Sequence, residues 1–330
     1  MNAKKTTIAL LTHADRLISP EFVEALSTLG CLKYPPFESI QSPDALREIL
    51  RHADIAMTGW GTPPLPLPEK EFRLRYVCHM TGELKRIVPR EYIENPDIRV
   101  TNWGDSFAFA TAEGAVALLF AVLKNIVNLD ATLRKTGQAG ALSRSFYSLR
   151  GTRVGIYGLS SIGQRVAQYL KPFSPALSFY DPTVTETPEG LFRHNTLDSL
   201  FSGNDIVTIH AGLNDATRGS VDYRRLSLLP KDGILINTAR GPLVVEEDLA
   251  RILSEGRINA GIDVVDDEED WRRSPLVSLP NVILTGHALS RIGLQEKLCL
   301  QETALENLKR YLRGEALLHS VTLKRFEVMT

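Results

Sequence analysis

The chain has 330 residues, 43% hydrophobic and 23% charged, with 38 basic against 39 acidic side chains and a net charge of −1. That length holds two domains with sizeable cores, and the even charge balance gives no electrostatic drive toward nucleic acid or an anionic membrane. The three cysteines, Cys31, Cys78 and Cys299, are scattered without a Cys-x-x-Cys, so neither a disulfide framework nor a metal site is indicated, and inert thiols in a reducing, cytoplasmic setting are expected.

The N-terminus has no signal-peptide apolar stretch and runs into a strand-like Thr6–Thr12. Ser19, Pro20 and Gly30 bracket a helix over Pro20–Leu29, and Ser42 caps a second over Pro43–His52. Short strands follow at Asp54–Thr58, Arg75–His79 and Arg99–Thr101, with a Gly-Trp-Gly-Thr-Pro-Pro breaker at 59–64. This alternation predicts a small α/β unit over residues 1–104. Ala112–Leu129 is apolar on nearly every side and reads as one long helix. Such a helix is buried by its own domain, by a second subunit, or by both, and the last of these favours a homodimer. Its longest apolar run, Ala115–Leu123, is too short to span a bilayer.

From Arg153 the βα units lengthen. Strands are expected at Val154–Tyr157, Leu177–Tyr180, Asp205–His210, Ile234–Asn237, Ala260–Val264 and Val282–Thr285. Helices such as Gln164–Leu170 and Glu246–Glu255 fall between them, the pattern of a doubly wound parallel sheet. Leu294–Tyr311 is a closing helix stopped by Gly314, followed by a strand-like Ser320–Leu323. This tail is expected to return to the first domain, which gives domains of 1–104 with 292–330, and 105–291.

The chemistry begins at Gly158-Leu-Ser160-Ser161-Ile162-Gly163, between a predicted strand and a predicted helix. A Gly-x-Gly-x-x-Gly turn in that place presents backbone N–H groups to a pyrophosphate. Ser160 stands where the middle glycine belongs, so it must tilt the phosphates away or donate a hydrogen bond to them. Asp181 lies eighteen residues past Gly163 at the next strand end, placed to accept from ribose hydroxyls and to repel a 2′-phosphate. No arginine follows it directly, so NAD is favoured over NADP as cofactor. Three further polar residues follow apolar strands: Arg240 in Asn-Thr-Ala-Arg-Gly (237–241), Glu268 in Asp-Val-Val-Asp-Asp-Glu (263–268) and His287 in Leu-Thr-Gly-His-Ala (284–288). A guanidinium, a carboxylate and an imidazole in the crevice outside the strand ends can bind an anionic substrate and move a proton.

On these residues the chain resembles the D-isomer-specific 2-hydroxyacid dehydrogenases along nearly its whole length. The resemblance implies two α/β domains, a doubly wound Rossmann-type NAD domain inserted in a smaller flavodoxin-like substrate domain, with the active site in the cleft between them. It implies that Arg240 binds the carboxylate and carbonyl of a small 2-keto acid, that His287 is the general acid/base and that Glu268 is its partner. Asp263 becomes a cofactor contact near the nicotinamide. The His210–Gly219 segment, with His210, Ala211 and Thr217, resembles the strand and loop over the nicotinamide side, and Thr238 and Ala239 join Arg240 against the cofactor. The resemblance also implies that Thr81, Gly82 and Glu83 stand in the loop that offers backbone N–H groups to the substrate carboxylate.

The pattern is not followed everywhere. Gly286 replaces the proline before the histidine, Gly212 stands where proline is common, and Trp103-Gly104-Asp105 replaces valine-proline-glycine. Asp270 stands near the usual proline after the glutamate, which makes Glu269 a second candidate for the role of Glu268. His79, Lys85 and Arg86 put charge and hydrogen-bonding capacity near the carboxylate loop, as candidates for substrate selection. A catalytically silent NAD(H)-binding dimeric regulator is the alternative function, and the complete Arg240, Glu268 and His287 set weighs against it.

Overall fold

The computed structural model describes residues 5–13, 17–82, 84–138, 148–291 and 293–329. The chain divides into two compact units, 1–107 with 292–330, and 108–291.

The first unit begins with β1 (Thr7–Leu10), α1 (Pro20–Leu29), β2 (Cys31–Lys33), α2 (Pro43–His52), β3 (Ile55–Thr58), β4 (Tyr76–His79), α3 (Arg90–Glu94) and β5 (Arg99–Thr101). Its strands pair in parallel in the order β2-β1-β3-β4-β5, the flavodoxin-like order. The hydroxyls of Ser19 and Ser42 accept from the N–H groups of Phe22 and Ala45, and a proline opens each helix. Every residue of β3 and β4 is buried, because both faces of a parallel sheet are covered. β2 had no readable pattern. Its three residues, Cys-Leu-Lys, form a partly exposed edge too short to show a period.

The second unit runs through α4 (Ala108–Leu123), α5 (Ile126–Thr136), β6 (Arg153–Tyr157), α6 (Ser161–Leu170), β7 (Ala176–Tyr180), β8 (Phe192–Arg193), α7 (Leu197–Gly203), β9 (Ile206–Ile209), α8 (Tyr223–Leu226), β10 (Gly233–Asn237), α9 (Glu246–Ser254), β11 (Ile258–Ile262) and β12 (Val282–Leu284). The seven strands form a sheet in the order β12-β11-β10-β9-β6-β7-β8, parallel throughout. β6, the first strand, is interior, and the order reverses between β6 and β9, the switch point of a doubly wound sheet.

The single helix expected over 112–129 is two. Asn125 takes a left-handed φ of 54°, and α5 leaves α4 at 50°. α4 is buried by its own unit, with Leu118 packed so closely on β11 that a Cβ on Gly261 would lie 2.6 Å from Leu118 Cγ. α5 buries none of its residues and leaves Ile126, Val127 and Leu133 about half exposed. Among the described residues no single helix is long and apolar enough to cross a membrane.

The first unit ends with α10 (Leu294–Leu312) and α11 (Leu323–Val328). The strand expected over 320–323 is not formed. Ser320 makes an isolated bridge to Thr101, and the Thr322 hydroxyl caps α11 by accepting from the Arg325 N–H. The β-branched Val321 and Thr322 look like a strand in sequence, but Thr322 serves as the helix cap.

Candidate active site

The glycine turn is dictated by close approach. Gly158 has φ of 91°, and a Cβ there would lie 2.5 Å from the Ala211 nitrogen. A Cβ on Gly163 would lie 2.1 Å from the Gly158 carbonyl oxygen, so α6 can pack on the turn only without a side chain at 163. Ser160 is different. Its φ of −72° and ψ of −169° are open to any residue, and its exposed side chain makes no cap bond. Serine therefore strains nothing, and its hydroxyl stands at the N-terminus of α6 beside Ser161 and Ile162. These features fit the pyrophosphate of a dinucleotide.

Asp181 ends β7 and is buried. Its Oδ2 accepts from the Leu159 N–H at 2.8 Å, and its Oδ1 accepts from the Thr183 N–H at 2.8 Å and the Thr183 hydroxyl at 2.7 Å. The carboxylate thus ties the end of β7 to the glycine turn. A carboxylate has about four acceptor sites, so capacity remains for a ribose hydroxyl. Thr183 was not singled out from sequence, although Asp-Pro-Thr is an Asx-turn signal.

The next strand end is quieter. His210 is buried, its Nε2 lies 2.9 Å from the Thr208 hydroxyl, and burial pushes it down to about 3, so the ring is neutral. Ala211 is half-buried against Gly158. The Thr217 hydroxyl donates to the Gly212 carbonyl at 2.7 Å and accepts from the Asn214 N–H at 2.8 Å, so it is engaged within its own loop.

Arg240, Glu268 and His287 leave the carboxyl ends of β10, β11 and β12, three neighbouring strands. The buried Asn237 shapes the first exit, accepting from the Ala239 N–H and donating to the Arg240 carbonyl, both at 3.0 Å. The buried Thr238 hydroxyl has no partner among the described residues. Arg240 Nη1 donates to the Ala239 carbonyl at 2.7 Å. Gly241 is a packing requirement: a Cβ there would lie 2.1 Å from the Val265 carbonyl group.

His287 itself is left-handed, φ 53°, and follows Gly286 at φ 64°. Its N–H donates to the Asp263 carbonyl at 2.6 Å. The buried Asp263 carboxylate accepts from the Thr285 hydroxyl and from the Ala288 N–H at 3.0 Å, so this residue clamps the histidine loop. A proline at 286 is excluded here, because its ring fixes φ near about −65°. His287 Nδ1 lies 2.7 Å from Glu268 Oε2. A carboxylate only accepts, so Nδ1 carries the hydrogen and Nε2 remains to meet a substrate. The Glu268 hydrogen bond holds the imidazole above its ordinary value, while partial burial and the Arg240 charge pull the other way. Glu269, the second candidate, turns its N–H onto Asp267, and the carboxylate on His287 is that of Glu268.

In the first unit, Thr81 is buried with its hydroxyl 2.7 Å from His79 Nε2. His79 Nδ1 lies 2.9 Å from the Thr58 hydroxyl, which makes this histidine a core residue of β4 rather than a selector of substrates. Gly82 lies beneath Trp103, whose ring would stand 2.4 Å from a Cβ at that position. Glu83 lies outside the described residues. Lys85 donates to the Glu327 carbonyl at 3.2 Å and sits over the Phe326 ring, facing α11, and Arg86 is exposed.

Comparison with known proteins gives a consistent picture. Residues 116–288 match the family described as D-isomer specific 2-hydroxyacid dehydrogenase, NAD binding domain. The chain is 32% identical over 317 residues to a glyoxylate reductase of Aeropyrum pernix, covering 91% of this chain and 92% of that one. It is 30% identical over 276 residues to D-3-phosphoglycerate dehydrogenase of Methanocaldococcus jannaschii, covering 82% of this chain and only about half, 52%, of that relative. Among solved structures, the NADPH-dependent glyoxylate/hydroxypyruvate reductase of Sinorhizobium meliloti, in complex with NADP and malonate, superposes with a TM-score of 0.77 at 25% identity, over 97% of this chain and 98% of that one.

Proposed function

The chain belongs to the D-isomer specific 2-hydroxyacid dehydrogenase family, and from that premise we propose that it is an NAD-dependent oxidoreductase interconverting a D-2-hydroxy acid and its 2-keto acid. The observation that carries this reading is the 2.7 Å pair of His287 and Glu268, with the Arg240 charge close enough to act on the imidazole.

When bound, a reduced nicotinamide nucleotide supplies the hydride for the substrate carbonyl carbon. The groups of the chain do the rest. Arg240 offers a planar fork to the substrate carboxylate and draws electron density toward the carbonyl oxygen. His287, protonated, gives the Nε2 proton to that oxygen as it gains negative charge, and in oxidation takes it back. Glu268 fixes the ring and stabilises its charged form. Gly158, Ser160, Ser161, Ile162 and Gly163 would hold the pyrophosphate. The orphaned Thr238 hydroxyl, with Ala239, Ala211 and the Asp263 loop, would meet the nicotinamide half.

NAD is preferred in this reading because the Asp181 carboxylate, at the end of β7 beside the glycine turn, would repel a 2′-phosphate. The Sinorhizobium meliloti protein is NADPH-dependent, so the preference rests on Asp181 alone. A homodimer formed through the apolar face of α5 belongs to the same proposal, supported by its half-exposed Ile126, Val127 and Leu133.

The test is reduction of a panel of 2-keto acids with NADH by the wild type and by His287→Asn. Loss of turnover by roughly 10²- to 10⁴-fold in the variant is the expected result. Nucleotide binding without turnover of any acid would overturn the assignment.

A further inference from the structure

Trp103, noted in the sequence only as a departure from the family pattern, belongs to a larger feature. The carboxyl ends of the first unit's strands, taken across the sheet in the order β2-β1-β3-β4-β5, lead into Tyr34, His13, Trp60, Gly82 and Trp103. Four of these five positions are aromatic rings, and the fifth is the glycine of the carboxylate loop. The rings touch in two groups, His13 with Tyr34 and Phe37, and Trp60 with Trp103, which also stacks on Phe107 at 4.8 Å. His13 stacks on Tyr34 with centroids 4.7 Å apart and meets the edge of Phe37 at 5.7 Å. Phe37 reaches Gly61, where a Cβ would lie 3.8 Å from its ring. Trp60 meets Trp103 edge-on at 5.9 Å, and the indole of Trp103 lies directly against Gly82.

This arrangement is fixed rather than fortuitous. The Thr12 hydroxyl donates to the Trp60 carbonyl at 2.8 Å, and the Thr62 hydroxyl donates to the Leu11 carbonyl at 2.8 Å while accepting from the Gly59 N–H at 3.0 Å. The tryptophan loop is thereby pinned to the end of β1. The aromatic surface is also open: Tyr34 and Phe37 are 40% and 41% exposed, and Trp60 and Trp103 are half-buried. Two neighbouring aromatic groups at the carboxyl edge of a parallel sheet, linked by the approach of Phe37 to Gly61, offer recognition surface. The hydrogen of glyoxylate or the hydroxymethyl of hydroxypyruvate would leave it wet. A planar apolar side chain would cover it, stacking on one ring and meeting another edge-on.

We propose that Trp60, Trp103 and Phe37 form the side-chain subsite of the substrate, and that the substrate class is the 2-keto acids with an aromatic side chain. The inference rests on the dehydrogenase reading above, with Thr81 and Gly82 receiving the carboxylate, and it narrows that reading to one substrate class.

The experiment compares kcat/KM for phenylpyruvate and glyoxylate in the wild type, Trp60→Ala and Phe37→Ala, with NADH and with NADPH. Calorimetric titration of each protein with D-phenyllactate and D-glycerate, without nucleotide, gives a readout independent of turnover. The wild type should favour phenylpyruvate, and each variant should cut the phenylpyruvate-to-glyoxylate ratio by at least about tenfold, the scale of a hydrophobic pocket contact. Phenyllactate binding should weaken in parallel. Phe37 is exposed, so its variant keeps the test valid if Trp60→Ala loses its fold. A wild type that favours glyoxylate, or variants that leave the ratio within about twofold, overturns the aromatic subsite and leaves the dehydrogenase standing. Reduction of neither acid, nor of any other in the panel, with either nucleotide overturns the dehydrogenase reading and this inference with it.

Discussion

The His287 side chain meets Glu268 at 2.7 Å from a backbone in the left-handed region, φ 53°. That conformation costs an L-residue on the order of 1–3 kcal/mol and persists only where surrounding bonds impose it. Asp263 imposes it. Its carbonyl takes the His287 N–H and its carboxylate takes the Thr285 hydroxyl and the Ala288 N–H. Gly286 is part of the same device, since two successive residues with positive φ leave no place for proline.

The pH dependence of the reaction follows from the pair. Glu268 raises the folded value of His287 above the ordinary one, so the charged donor survives to higher pH than a free histidine would allow. Keto-acid reduction should hold at low pH and fall as pH rises through that raised value, and hydroxy-acid oxidation should fall as pH drops through it. The same sign applies to stability: the pair contributes fully below the unfolded histidine value and its contribution is lost as pH rises through the folded one. In Glu268→Gln the limb of the reduction profile should move to lower pH. A limb that stays in place in that variant would remove Glu268 from control of the proton.

Asp263→Ala should lower kcat more than it changes KM for the keto acid, because it releases the loop that aims His287 rather than a group that holds substrate. The half-buried Ala288 and Thr285 donors lose their acceptor, at about 1 kcal/mol of stability. Urea denaturation and steady-state kinetics on the same preparation check both effects. Unchanged kcat in a destabilised protein would mean that the loop holds its shape without the clamp.

Much of this was legible in the residues, for identifiable reasons. The caps Ser19 and Ser42 announce α1 and α2 because capping is a local matter of one hydroxyl and one N–H. The strands β9, β10 and β11 stand out because every residue is buried and most are apolar, whereas the two-residue edge strand β8 is too short to show a pattern. Gly158 and Gly163 are legible because only glycine meets their contacts. The break at Asn125 was not legible, since the apolar pattern continues across it. The burial of His79 was equally hidden, because its partners Thr58 and Thr81 come from β3 and from the residues after β4, and nothing in the local sequence marks them. The aromatic row is assembled from four of the five strand ends by the sheet order, which no local pattern encodes.

Asp181 ties the end of β7 to the glycine turn, and in the proposed reading it also selects the nucleotide; two substitutions test these roles apart. Asp181→Ala should relax the preference for NADH over NADPH, since the negative charge facing a 2′-phosphate is gone. It should also cost about 1–3 kcal/mol, because the buried Leu159 N–H loses its acceptor. Thr183→Val removes only the hydroxyl bond and should leave the nucleotide preference in place. Steady-state ratios with both nucleotides, beside thermal melts, make the comparison. A wild type that uses NADPH as well as NADH would show that Asp181 shapes the turn without reading the ribose.

His210 predicts an acid limit to stability. Its folded value is depressed to about 3 by burial, with Thr208 as hydrogen-bond partner, while the unfolded chain takes up the proton near the ordinary histidine value of 6.5. Between those values the unfolded state binds one more proton than the fold, so stability falls as pH falls, at about 1.4 kcal/mol per pH unit from this residue. His210→Gln preserves a polar end for Thr208 and removes the titration. Urea denaturation from pH 6 to pH 4.5 should show the wild type losing its advantage over the variant by about 2 kcal/mol across that window. Parallel stability curves would mean that the ring is protonated in the folded protein, and the strand end beside Gly158 would then bear a positive charge toward the nucleotide.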